Sequence, residues 1–224
     1  MALTNFTKNY GVVSSSPNSN FRVFSHNSGS AQSDKVLLVV CTMATGVNFT
    51  NAAYNGVTMS VVLSQTFSGL GQNQKIFKLD NPTDGTNQFR VNFTGNQWSG
   101  VSIACYTFIG CSGIGNTGIN GGSSTPNSKT LSCSNGSIVM LTGISIGTQA
   151  GKQYTIDGSN YTPLFYHNVN DQVSGVLSGN VSAGLIDCVT RVGTGNVTNI
   201  RVEMLEAGGT PPSSNSGNFL MMFN

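Results

Sequence analysis

The chain has 224 residues, a formal net charge of +2 and a charged fraction of only 8%, against about 25% in ordinary soluble domains. Its ten basic residues are scattered and form no stripe or patch, which argues against a nucleic-acid partner. No run approaches the ~18 apolar residues that would cross a bilayer. Solubility falls to Asn, Ser, Thr and Gly, a composition suited to a β protein rich in tight turns.

Residues 1–20 read as an N-terminal arm: 5–7 could form a short strand, but VVSSSPNSN is loop chemistry. The opening MALTNFTKNYG has no apolar core and no small-residue cleavage site, so no signal peptide is expected. Residues 21–26 alternate as a first strand. Residues 35–43 are apolar without interruption, which predicts burial on both faces. Asn55-Gly56 lies between two β-type segments, the strongest short-range hairpin signal because both turn residues need positive φ. Further strands are expected at 61–66, 74–79, 88–94 and 100–109, with Phe77, Leu79, Phe89, Val91 and Phe93 at period two. Leu38, Val40, Val91, Phe93, Ile103 and Cys105 are the expected core.

Residues 111–129, CSGIGNTGINGGSSTPNSK, read as a long loop, a length more often functional than incidental. Strands then follow at 130–133, 137–146, 153–156, 163–169, 176–188 and 196–205, with turns at Asn135-Gly136 and Asp157-Gly158. The pattern holds no helix. It gives an all-β, antiparallel sandwich over residues 21–206. A Gly/Pro/Ser linker (207–217) and an apolar docking tail (218–224) complete the chain. Phe219, Leu220, Met221, Met222 and Phe223 would be an aggregation hazard if left in water. They are the expected assembly contact, by strand addition to a neighbour or to the chain's own sheet.

The five cysteines, Cys41, Cys105, Cys111, Cys133 and Cys188, form neither a disulfide framework nor a zinc spacing. Within apolar strands they read as small hydrophobes. The other chemistry-bearing residues offer little. His26 and His167 lie far apart without metal-spaced partners and read as surface or loop residues. Asp80…Asp84-Gly85 is a turn, since Pro82 falls where a calcium ligand would be needed. Nothing in the sequence brings two of Asp157, Asp171 and Asp187 together as a glycosidase pair. The glycines of 113–122 lack the helix and the Lys-Ser/Thr ending of a phosphate loop. No catalytic residue, metal or cofactor is therefore assigned. Trp98 with Tyr54, Tyr154 or Tyr161 remains a candidate for stacking on a sugar face, Trp98 and Tyr54 being the leading pair.

The order KVLLVVCTMATG, AAYNGVTMSVV, KIFKLDNPTDGTNQFRVNFTG, SGVSIACYTFIGCSG resembles a β-sandwich module common in phage virion proteins and bacterial surface proteins. The resemblance rests on the strand 36–40, the hairpin 54–57, the Asn-Pro-x-x-Gly turn 81–85 and the aromatic-x-Gly ending 108–110. It covers about a third of the chain closely, and it implies a jelly-roll-like sandwich on a virus particle. The expected role is a non-enzymatic auxiliary or decoration protein on the capsid, made in the host cytoplasm. Its partners would be other copies and other virion proteins. The alternative is a tail-fibre or receptor-binding module that holds a host glycan.

Overall fold

The computed structural model describes residues 3–13, 20–44, 48–94, 101–145, 153–169, 171–192 and 195–208. Apart from a 3-10 turn at Ser68–Leu70, every regular element among them is a strand. The first nine are β1 (Thr4–Val13), β2 (Phe21–Asn27), β3 (Lys35–Ala44), β4 (Phe49–Tyr54), β5 (Val57–Thr58), β6 (Ser60–Phe67), β7 (Gln72–Asp80), β8 (Thr86–Phe93) and β9 (Val101–Ile109). The next nine are β10 (Cys111–Ser124), β11 (Asn127–Cys133), β12 (Ile138–Ser145), β13 (Gln153–Ile156), β14 (Ser159–Tyr161), β15 (Phe165–Val169), β16 (Asp171–Asn180), β17 (Gly184–Arg191) and β18 (Asn196–Glu206).

The sheets show that the chain is a duplication. The first half forms a sheet β1-β9-β3-β7-β6 and a sheet β2-β8-β4-β5. The second half forms β10-β18-β12-β16-β15 and β11-β17-β13-β14, the same two orders shifted by nine strands. In each half a long hairpin is rolled up, so that β1 pairs with β9, β2 with β8, β3 with β7 and β4 with β5. The equivalent pairs β10·β18, β11·β17, β12·β16 and β13·β14 recur in the second half. With β6 or β15 set aside as an added edge strand, each half is a jelly roll. The expected jelly-roll-like architecture is thus present twice.

Backbone details repeat as well. Asn55-Gly56 and Asp157-Gly158 both adopt positive φ as type I′ turns require. Asp34, one residue before β3, and Gly136, two residues before the equivalent strand β12, are also left-handed. The Asn81 amide donates to the Lys35 carbonyl at 2.7 Å, and Val181 donates to Ser137 at 2.8 Å in the same place.

Alternation along the inner strands assigns three cores. Leu37, Val39 and Cys41 of β3 and Ile103 and Cys105 of β9 face the first outer sheet, against Tyr54, Phe89, Val91 and Phe93. Val139 and Leu141 of β12 face the second outer sheet, against Leu131, Tyr154, Ile156 and Cys188. The opposite faces meet each other. Val36, Leu38, Val40, Tyr106 and Phe108 pack with Ile138, Met140, Ile200, Val202 and Met204 in one cluster. The order of layers is therefore outer sheet, inner sheet, inner sheet, outer sheet. Across the central contact β1 lies against β15, and β10 lies against β6, each pair being the other under the nine-strand shift.

All six residues of the expected core are buried, but they divide between two faces: Leu38 and Val40 lie in the central layer, the other four inside the first jelly roll. Several expectations are corrected. Thr4–Val13 is no arm, because it pairs antiparallel with β9 along its length. Residues 111–124 are no loop but the equivalent edge strand β10, whose register slips at three points along β18 and so absorbs the glycine-rich sequence as bulges. The segment 176–188 is two strands, broken between Asn180 and Gly184. Residues 209–224, which contain most of the linker and the whole tail, lie outside the described residues.

Phe93 is 3% exposed, with the Arg22 guanidinium 5.1 Å above its ring. Phe93→Ala should lower stability by about 3–5 kcal/mol, read as a shifted midpoint in urea at unchanged slope.

Candidate functional sites

The structure sorts the residues singled out from the sequence. His26 is buried inside the first jelly roll, correcting its reading as a surface residue. It sits on edge strand β2, and its Nε2 meets the Thr107 hydroxyl of β9 at 2.8 Å, tying the outer sheet to the inner. The Tyr54 ring lies edge-on, its centroid 6.4 Å from that of His26. Burial lowers the His26 pKa from 6.5 to about 4, so the imidazole is neutral at neutral pH. The neighbouring inward-pointing Arg22, also buried on β2, makes this edge unattractive to foreign strands. His167 lies in β15, opposite Val173 of β16.

The acidic residues occupy turns and edges. Asp84 pairs with the Lys35 ammonium, which is almost wholly buried and also donates to the Ser30 carbonyl at 3.2 Å. Asp80 accepts from Lys78 at 2.8 Å. The Asp157 amide donates to the Asp187 carbonyl at 2.8 Å, so topology brings together two backbones that the sequence left apart. Their carboxylates are exposed, and Asp187 accepts from the Ser128 hydroxyl at 2.8 Å. Neither stands in the enclosed pocket in which an acid pair works. Asp171 opens β16. No group of three or more His, Cys, Asp or Glu is placed to hold a metal ion among the described residues.

All five cysteines are free and buried. Burial raises Cys111 to about 11, and Cys133 and Cys188 to about 12. Thiols in that range stay protonated and act as packing groups.

Sequence reasoning missed a polar seam inside the second jelly roll. On β18, Asn199, Arg201 and Glu203 alternate with Ile200, Val202 and Met204, a pattern that suggests one face in water. Here the polar face is covered by β10, β11 and β17. Glu203 accepts from the Ser134 amide at 2.5 Å and the Asn116 amide at 2.9 Å. The Arg201 guanidinium donates to Asn199 at 2.8 Å. Asn199 donates to the carbonyls of Asn127 and Cys188 at 2.9 and 2.7 Å. Gly115 and Gly118 make the seam possible. A Cβ at either would stand 2.2 Å from the Glu203 carboxylate or 2.3 Å from the Arg201 guanidinium. The glycines that looked like loop chemistry are therefore space for buried ions. The equivalent β9 positions in the first half are Ile103, Cys105 and Thr107.

Of the aromatic candidates, Tyr54 is excluded as a stacking surface. It is fully buried, and its hydroxyl donates to the His26 carbonyl at 2.9 Å. Tyr154 is buried too, its hydroxyl 2.7 Å from that of Ser174. Trp98 lies outside the described residues. Tyr161 alone of the four is both described and partly open to solvent, packing one side on the core. It borders a cleft of about 300 Å³ with Gln153, Asn160, Thr162 and Pro163. No family model, curated protein or solved structure matches this chain.

The His26 environment carries a pH dependence. As pH falls below 6.5 the unfolded chain takes up a proton that the folded chain refuses until about pH 4. Stability is therefore complete above pH 6.5 and falls on the order of 3 kcal/mol by pH 4 from this group alone. Urea midpoints measured from pH 7 to 4 should slope downward, and His26→Gln should flatten that part of the profile.

Proposed function

We propose that this chain is a non-enzymatic phage virion structural protein, an auxiliary or decoration protein on the capsid surface that works as a multimer with other virion proteins. The observation that carries the reading is the jelly roll built twice in one chain, because jelly rolls recur in viral capsid and lectin domains. Fold alone does not assign function. The strand-and-turn resemblance to phage virion modules adds to it. So does a chain poor in charge, with only 8% charged residues.

On this reading the fold proper ends with β18, and the apolar residues Phe219, Leu220, Met221, Met222 and Phe223 dock on a second copy or on the shell. Burying each large side chain is worth about 1.5–3 kcal/mol, enough for several together to hold a subunit in place. A chain ending at Gly209 should keep its circular dichroism and melting temperature. It should lose multimer mass in solution and co-sedimentation with capsids. Unfolding on truncation would make the tail an internal strand. Full particle attachment without the tail would remove its assembly role.

A further inference from the structure

The two halves are copies of one scaffold, so each serves as a control for the other. At the β4–β5 hairpin of the first half, Ala52 stands opposite Met59, whose amide donates to the Ala52 carbonyl at 2.9 Å. Both side chains are buried. The equivalent pair at the β13–β14 hairpin is Tyr154 and Tyr161. Here the large residue has moved inward. Tyr154 fills the core, and Gly143 lies against it, its would-be Cβ only 3.2 Å from the Tyr154 hydroxyl. The strand position equivalent to Gly143 in the first half is Cys41. Cys41 and Ala52 have thus been exchanged for Gly143 and Tyr154, a compensation of volume between facing sheets. With the interior filled by Tyr154, Tyr161 stands half out of the core where Met59 is tucked in.

We infer that the cleft beside Tyr161 is a binding subsite for a neutral pyranose. Its volume of about 300 Å³ lies at the small end of ligand sites, which run from about 300 to 1,000 Å³. Among the described residues the lining contains no charged side chain. It offers an aromatic ring, the amides of Gln153 and Asn160 and the hydroxyl of Thr162. An aromatic face beside uncharged donors and acceptors suits a ligand with an apolar C–H face and a rim of hydroxyls. The Asn160 side-chain oxygen accepts from the Thr155 hydroxyl at 3.0 Å, which leaves the amide N–H groups to donate to a sugar oxygen. The ring of Tyr161 is held from behind by the second core, so little side-chain freedom is lost when a sugar stacks on it.

The test uses the full chain and a panel of methyl pyranosides of glucose, galactose, mannose and N-acetylglucosamine, read by saturation-transfer NMR at millimolar concentration. At least one glycoside should receive saturation, strongest on the protons of one ring face. Tyr161→Ala should weaken that binding at least tenfold with an unchanged circular dichroism spectrum, and Tyr161→Trp should retain it. Absence of transfer to every glycoside overturns the site, as does transfer that survives Tyr161→Ala. Capsid co-sedimentation of Tyr161→Ala should equal that of the parent chain, so failure here leaves the assembly reading separately tested.

Discussion

The structure depends on the meeting of two inner sheets through faces that would otherwise be in water. A jelly roll taken alone buries one face of each sheet and leaves the other solvated, as antiparallel sheets commonly do. In this chain Leu38, Tyr106 and Phe108 from one half, and Met140, Val202 and Met204 from the other, line the second faces with large apolar groups. Separating the halves would expose all of them, at about 1.5–3 kcal/mol for each large side chain. Close spacing of the halves helps: β9 ends at Ile109 and β10 begins at Cys111. The first half is thus joined to the second without a linker.

That constraint explains what the sequence revealed and what it concealed. The unbroken apolar run of β3 correctly announced burial on both faces, and its cause is the sheet of the second half lying across it. Asn55-Gly56 announced its hairpin because the backbone conformation admits few other residues. The duplication was hidden because equivalent positions carry different chemistry: Cys41 and Gly143, Ala52 and Tyr154, Cys105 and Arg201. Topology, backbone conformation and the apolar alternation of β3 and β12 were kept. The edge strands β1 and β10 were taken for arm and loop because edge positions tolerate Gly, Asn and Ser. In β10 two of those glycines are required by the ions of β18.

The same divergence separates the candidate sites. The first half ties its sheets with His26 and Thr107. The second uses Glu203, Arg201 and Asn199 for the same purpose, which costs it two buried charges but fixes the β10 bulge and the β11–β12 turn through backbone amides. Tyr54 was singled out beside a turn, where aromatics are often exposed, yet its alternation points it inward. Tyr161, one strand beyond the equivalent turn, is the residue left at the surface. Its exposure was not legible in the sequence, because exposure depends on the neighbour that fills the core beneath it.

Shared burial makes a firm demand on cooperativity. If the central layer binds the halves, neither inner sheet can open while the other stays closed. Hydrogen exchange of the full chain, resolved to β3 and β9 on one side and β12 and β18 on the other, tests this most directly. The slowest amides of all four strands should exchange with one common opening free energy and one common urea dependence. A distinct, lower opening free energy for the β12 and β18 amides, with β3 and β9 still protected, would show that the two jelly rolls open independently and would contradict the account.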